Sequence, residues 1–114
     1  KKTIEVAAAC IHHEGKYLIA QRIPEKGGEW EFVGGKREKG EDWRHAVKRE
    51  VEEEIGILVS VRPHFLEEIW EDQEYCWRLR FFRCQILRGE VEIREHADLH
   101  WVLPEELSQY NFPE

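Results

Sequence analysis

Apolar and polar positions fall into blocks along this chain, and the blocks have two different periods. Ile4 to His12 is a nearly unbroken apolar run, with the small residues Ala7 to Cys10 suited to close packing. It reads as a buried strand. Glu14-Gly15 marks a turn, and Tyr17 to Arg22 reads as a second strand hairpinned to the first. Pro24 to Gly28 is a loop, and Trp30 to Val33 is a short strand entering a glycine pair. The period then changes. Trp43, Ala46, Val47, Val51 and Ile55 fall on one arc of a helix at about 100° per residue. Asp42 is placed as its N-cap, and Gly56 stands where a left-handed turn would end it.

A strand is predicted from Leu58 to about Arg62. Phe65 to Trp70 and Tyr75 to Leu87 read as antiparallel strands joined across Glu71 to Glu74. In the second, Tyr75, Trp77, Leu79 and Phe81 alternate with Cys76, Arg78, Arg80 and Phe82, the period of a strand with two unlike faces. Val91 to Arg94 and Leu99 to Leu103 predict short strands. Pro104-Glu105-Glu106-Leu107 starts a short C-terminal helix with proline in its first turn. The expected fold is α/β (α+β), a mixed sheet with one central and one terminal helix. With 114 residues and no internal linker, one domain over 1–114 is expected.

The predicted central helix carries the candidate chemistry. Glu50, Glu53 and Glu54 sit three and four residues apart, so their side chains share one side of the helix. Glu50 and Glu54 fall inside the apolar arc, Glu53 at its edge, and Arg49 just beyond. Glu52 and His45 take the solvent side. Carboxylates turned toward packing need a metal, an arginine or backbone donors. Hard divalent cations take carboxylate oxygens. A charged amphipathic helix is the plain alternative in a chain that is 36% Asp, Glu, Lys and Arg. It leaves the inward carboxylates, the flanking glycines and the distant Glu41 without a reason.

The run from Gly35 to Ile57 resembles the Nudix box, G-x5-E-x7-R-E-U-x-E-E-x-G-U, where U is a bulky aliphatic residue. Gly35, Glu41, Arg49, Glu50, Val51, Glu53, Glu54, Gly56 and Ile57 fill every defined position at the right spacing. The resemblance implies an α/β/α sandwich and an enzyme that hydrolyses a pyrophosphate bond in a nucleoside diphosphate linked to another group. It implies Mg2+ as cofactor, with Mn2+ as a substitute. Glu50, Glu53 and Glu54 would be metal ligands, helped by the backbone carbonyl near Gly34. Arg49 would pair with a box carboxylate, and Glu41 would support that network. Glu53 is the first choice for the general base. Glu95, six residues before Trp101, is the second, because MutT-like members carry a glutamate at that spacing.

Gly34-Gly35-Lys36 offers close backbone approach and a positive charge for a phosphate or metal. The segment Trp30 to Lys36 is similar to the lead-in of MutT-like nucleoside triphosphate pyrophosphohydrolases. Ile4-Glu5-Val6, Ala20-Gln21-Arg22 and Glu95-His96 resemble the branch acting on CTP or modified dCTP. Carried over, Arg22 and Phe32 would border the nucleotide, and Glu31, Phe32, Val33 and Gly34 would give backbone contacts. Gly35 and Lys36 would complete the substrate set. Tyr110 to Glu114 reaches the segment that, in MutT-like enzymes, leads to a base-reading Asn or Asp. The expected products are NMP and pyrophosphate, with nucleotide-pool sanitation as the role. Tyr75 keeps a dinucleoside-polyphosphate substrate open, and a nucleotide-sensing module without activity is a third reading.

Composition narrows the partners. The net charge is −7 and there is no basic stripe, which argues against a nucleic-acid polymer. No apolar stretch approaches the length of a membrane span, and the opening KKTIEVAAAC does not read as a signal peptide. A cytoplasmic location is expected, as monomer or homodimer. Cys10, Cys76 and Cys84 are odd in number, lie in apolar runs and are expected as buried thiols. His12 and His13 are expected at the surface. For Trp70 and Trp77, stacking on a base is conceivable but core packing is the default expectation.

Overall fold

Small side chains make β1 (Lys2–His13) the hub of the sheet. In the computed structural model, which describes residues 1–113, its alanines admit strands on both edges. β6 (Tyr75–Arg88) runs parallel to β1 from Lys2 opposite Tyr75 to Ile11 opposite Cys84. β4 (Val33–Lys36) is antiparallel to β1, with Ala8 opposite Gly34. β2 (Lys16–Gln21) turns back from the end of β1 at Glu14-Gly15 and pairs with β3 (Trp30–Glu31) and β7 (Asp98–Val102). β5 (Leu58–Glu71) pairs antiparallel with β6. The sheet is therefore mixed and seven-stranded.

α1 (Trp43–Ile55) begins where the Asp42 side chain accepts the backbone N–H of Arg44, 2.7 Å away. It ends at Gly56, whose φ of 73° is cheap only for glycine. Ala46, Val47, Val51 and Ile55 of α1 are fully buried with Ala7, Ala9, Ile11, Val59, Phe82 and Cys84 of the sheet. Each buried valine, isoleucine or phenylalanine among them contributes roughly 1.5–3 kcal/mol by leaving water. That packing fixes the rotation of α1, and with it the direction of its carboxylates.

Four local expectations are corrected. The predicted strands Leu58–Arg62 and Phe65–Trp70 are one strand, β5, interrupted by a register shift between Val61 and Phe65. Val91 to Arg94 is not a strand. It straps the end of α1: Glu92 N–H donates to Ile55 O at 2.9 Å, and Arg94 Nη1 donates to Glu52 O at 3.0 Å. The predicted C-terminal helix is a 3-10 helix, Pro104–Gln109, with no buried residue. Trp70 does not pack in the core; it is 45% exposed and stacks on Trp77 with ring centres 5.4 Å apart.

The opposite face of β6, with Trp77, Leu79 and Phe81, is half-buried. All three cysteines are free thiols; Cys84 is buried, while Cys10 and Cys76 are half-buried. No helix among the described residues is long and apolar enough to cross a membrane.

Candidate active site

Arg49 organises the carboxylates along one flank of α1. Its Nε and Nη2 donate to the two oxygens of Glu41 at 2.7 and 2.9 Å, a forked pairing. Its Nη1 donates to Glu50 Oε1 at 2.8 Å, and Nη2 also reaches the Lys36 carbonyl at 3.1 Å. Glu41 accepts the Glu38 N–H as well and lies 2.9 Å from His45 Nδ1. The Arg49 guanidinium, chiefly, holds the Glu41 carboxyl down at about 2. Glu41 is thus saturated by donors and fixes the arginine that fixes Glu50.

The two glycines before α1 have separate reasons. Gly34 lies against the backbone of Ala7 and Ala8 in β1, where a side chain would collide. A Cβ on Gly35 would stand 2.5 Å from the Glu50 carboxylate. Glu50 therefore occupies the space that the absent Gly35 side chain leaves. Both glycines lie in β4, beyond the end of the strand predicted for Trp30 to Val33.

Glu54 is the least compensated group. The residue is only 7% exposed, and its Oε2 has no hydrogen-bond partner among the described residues. Burial, then the neighbouring Glu50 carboxylate, push its carboxyl up to about 9. His96 Nε2 lies 3.5 Å from Glu54 Oε1 and 2.9 Å from Glu31 Oε2. Glu31 in turn lies 3.9 Å from Arg22.

These groups share one open cleft of about 380 Å3. Glu31, Glu50, Glu54, Glu95 and His96 line it together with Gly34 and Gly35. Arg22, Lys26 and Lys36 line it with positive charge. An orphaned buried carboxylate oxygen among further carboxylates suits a hard divalent cation. The three cationic side chains suit the phosphate oxygens such a cation would leave unmatched. A second hollow of about 390 Å3 lies at the β1–β2 turn, lined by His12, His13, Glu14 and Gln85, and no acidic set converges there.

Of the residues singled out from sequence, Arg22, Glu31, Gly34, Gly35, Lys36, Glu50, Glu54 and Glu95 come together on this cleft. Four of the expected catalytic, metal-ligating and substrate residues do not line it. Glu53 is exposed, with its carboxylate 3.4 Å from Arg49 Nη1. Arg49 stands behind Glu50. Val33 is fully buried in the core. Phe32 meets Phe81 edge-on with centres 6.2 Å apart, and Phe112 at 5.8 Å. Tyr75 packs on Trp77, away from the cleft lining. Glu114, the last residue of the segment weighed for base reading, lies outside the described residues.

His96 and Lys26 are cleft residues that the sequence reading did not assign. His96 stands next to Glu95, but its partners Glu31 and Glu54 are 65 and 42 positions away, so no local spacing announces it.

A profile of the NUDIX domain matches residues 1–114. The chain is 39% identical over 111 residues to a CTP pyrophosphohydrolase of Escherichia coli K12, covering 96% of this chain and 82% of that one. It is 30% identical over 121 residues to the nucleoside triphosphatase NudI of Escherichia coli O139:H28, covering 93% and 86%. Among solved structures, the MutT protein of Methanosarcina mazei Go1 matches with a TM-score of 0.86 at 28% identity, covering 99% of this chain and 86% of that one.

Proposed function

The chain belongs to the Nudix family, and on that premise we propose that it is a Mg2+-dependent pyrophosphohydrolase of nucleoside triphosphates, yielding NMP and pyrophosphate. It is a Nudix hydrolase of the MutT-like branch, and enzymes of this family use divalent metals. The observation that carries the reading is the buried Glu54 carboxylate beside Glu50, whose Oε2 has no partner among the described residues, in a cleft whose other side chains include Arg22, Lys26 and Lys36. Acids for a metal and bases for phosphates in one open cleft suit a polyphosphate ester better than a neutral ligand.

Glu50 and Glu54 would hold the cation, with the Gly34 carbonyl beside them. When bound, a divalent ion neutralises phosphate charge and lowers the pKa of water. Arg49 keeps Glu50 aimed into the cleft. Lys36 and Arg22 bind the phosphate oxygens, and Glu31 orients Arg22. Water adds to a phosphorus of the α–β anhydride, the bridging P–O bond breaks, and one proton passes to a carboxylate. Glu95 is the proposed acceptor. It lines the cleft outside the Arg49 network, whereas the exposed Glu53 is beside Arg49. The relatives named for CTP and for nucleoside triphosphates support this substrate class.

The test is product analysis with Mg2+ and a panel of canonical and oxidised nucleoside triphosphates. Glu50→Gln is expected to lose about a hundredfold or more in kcat, roughly 3 kcal/mol of transition-state stabilisation. An active Glu50→Gln protein would remove Glu50 from the metal set.

A further inference from the structure

Beside the Glu50–Glu54 pair, the cleft holds a second donor set. One ligand atom each from Glu31, Glu54 and His96 lies within 4.8 Å of the others. His96 Nε2 stands 2.9 Å from Glu31 Oε2 and 3.5 Å from Glu54 Oε1. Adjacent ligands around one small cation have such spacings. With metal bonds of about 2.0–2.1 Å, neighbouring donors sit about 3.0 Å apart in an octahedron and about 3.3 Å apart in a tetrahedron. The donors come from β3, from α1 and from the bend before β7. That bend is fixed by the Ala97 N–H bond to Gln21 O at 2.8 Å.

Two polar atoms of this set, Glu54 Oε2 and His96 Nδ1, have no hydrogen-bond partner among the described residues, and both residues are more than nine-tenths buried. Hydrogen bonding accounts for only part of the cluster. Nε2 carries at most one proton, which serves Glu31 at 2.9 Å and leaves Glu54 short of a partner. A cation in place of that proton, and of any proton held on Glu54, would serve both groups as carboxylates.

We propose that Glu31, Glu54 and His96 form a mixed nitrogen–oxygen site for a borderline divalent ion of the zinc type. Imidazole favours such ions, whereas Mg2+ prefers an all-oxygen octahedron. Ligation through Nε2 leaves the ring proton on Nδ1, which has no hydrogen-bond partner among the described residues. The site shares Glu54 with the proposed hydrolase metal set. Zinc occupancy therefore draws Glu54 away from Glu50, and zinc inhibits Mg2+-dependent turnover. This last consequence rests on the proposed function; the binding does not.

Zn2+ alone is the probe, on the full chain, by calorimetry and by ring 15N NMR. Addition of one equivalent should move the Nε2 signal of one histidine among the six in the wild-type protein. His96→Gln and Glu31→Gln, checked for folding by thermal melting, should each weaken Zn2+ binding at least tenfold, and His96→Gln should leave Mg2+ affinity within about twofold. Retained Zn2+ affinity in either folded variant overturns the site. So does a wild-type spectrum in which no histidine Nε2 responds, and that result needs no variant to fold. Zinc binding without any nucleotide hydrolysis would keep the site and sink the enzyme reading instead.

Discussion

At Glu54 a carboxyl group is held away from water beside Glu50, with Glu31 and Glu95 near enough to repel its charge. Its pKa is raised from 4.5 to about 9, so between those values the folded chain keeps a proton that the unfolded chain gives up. For this group stability is fullest below about 4.5 and is lost as pH rises through about 9. The metal-free protein should melt progressively lower from pH 6 to pH 9. Glu54→Gln, which cannot ionise, should raise the metal-free Tm at pH 8.5 and abolish the Tm rise on adding Mg2+. Thermal melts of both proteins, with and without Mg2+, check this, and parallel alkaline slopes would contradict it.

Glu41 is the mirror case. Its pKa is lowered from 4.5 to about 2, so its contribution is present above about 4.5 and lost as pH falls toward 2. Arg49→Ala removes the main donor to Glu41 and the one to Glu50. It should cost about 3 kcal/mol in denaturant unfolding at pH 7. Its deficit against the parent should shrink on acidification below pH 4.5. An Arg49→Ala protein as stable as its parent would show that the forked pair is decorative.

The elements hold these residues by simple local devices, some of which can be read along the chain. Asp42 and Gly56 announce both ends of α1, because a cap and a left-handed turn are short-range chemistry. The inward Glu50 and Glu54 follow from helical spacing. The strap at Glu92 and Arg94 does not, because its apolar residues suggest a strand while its partners are the last carbonyls of a helix about 40 positions earlier. The continuity of β5 through Arg62-Pro63-His64 is equally hidden, since a register shift carries it past the proline.

β4 offers a sharper test. Gly34→Ala presses on the β1 backbone and should destabilise the fold by roughly 1–3 kcal/mol. Gly35→Ala presses instead on the Glu50 carboxylate, a movable side chain. It should cost less stability and proportionately more Mg2+ affinity. Calorimetric Mg2+ titration of both variants, set against their melts, separates the roles; equal losses on both counts would refute the division.

Across the whole molecule the charge is −7, yet Arg22, Lys26 and Lys36 meet on the cleft. An acidic surface with one basic-edged acidic hollow favours a metal–polyphosphate complex over a bare anion. Lys36→Gln should raise KM for the triphosphate by two- to tenfold, roughly 0.5–1.5 kcal/mol, and leave kcat close to the parent value. Steady-state kinetics at saturating Mg2+ checks it; a fall in kcat alone would move Lys36 from binding to chemistry. The family and the helix-borne half of the site are legible because the box is contiguous. In the other half, Glu31 and Glu95 are named by the family resemblance alone and His96 is not named, because all three reach the cleft only through the pairing of β2 with β3 and β7.

The most direct measurement is chromatographic separation of the products formed from nucleoside triphosphates with Mg2+, by the parent and by Glu50→Gln side by side. NMP and pyrophosphate from the parent, with a folded and nearly inactive Glu50→Gln, is the predicted result. NDP and phosphate as products, or equal turnover by both proteins, would contradict it.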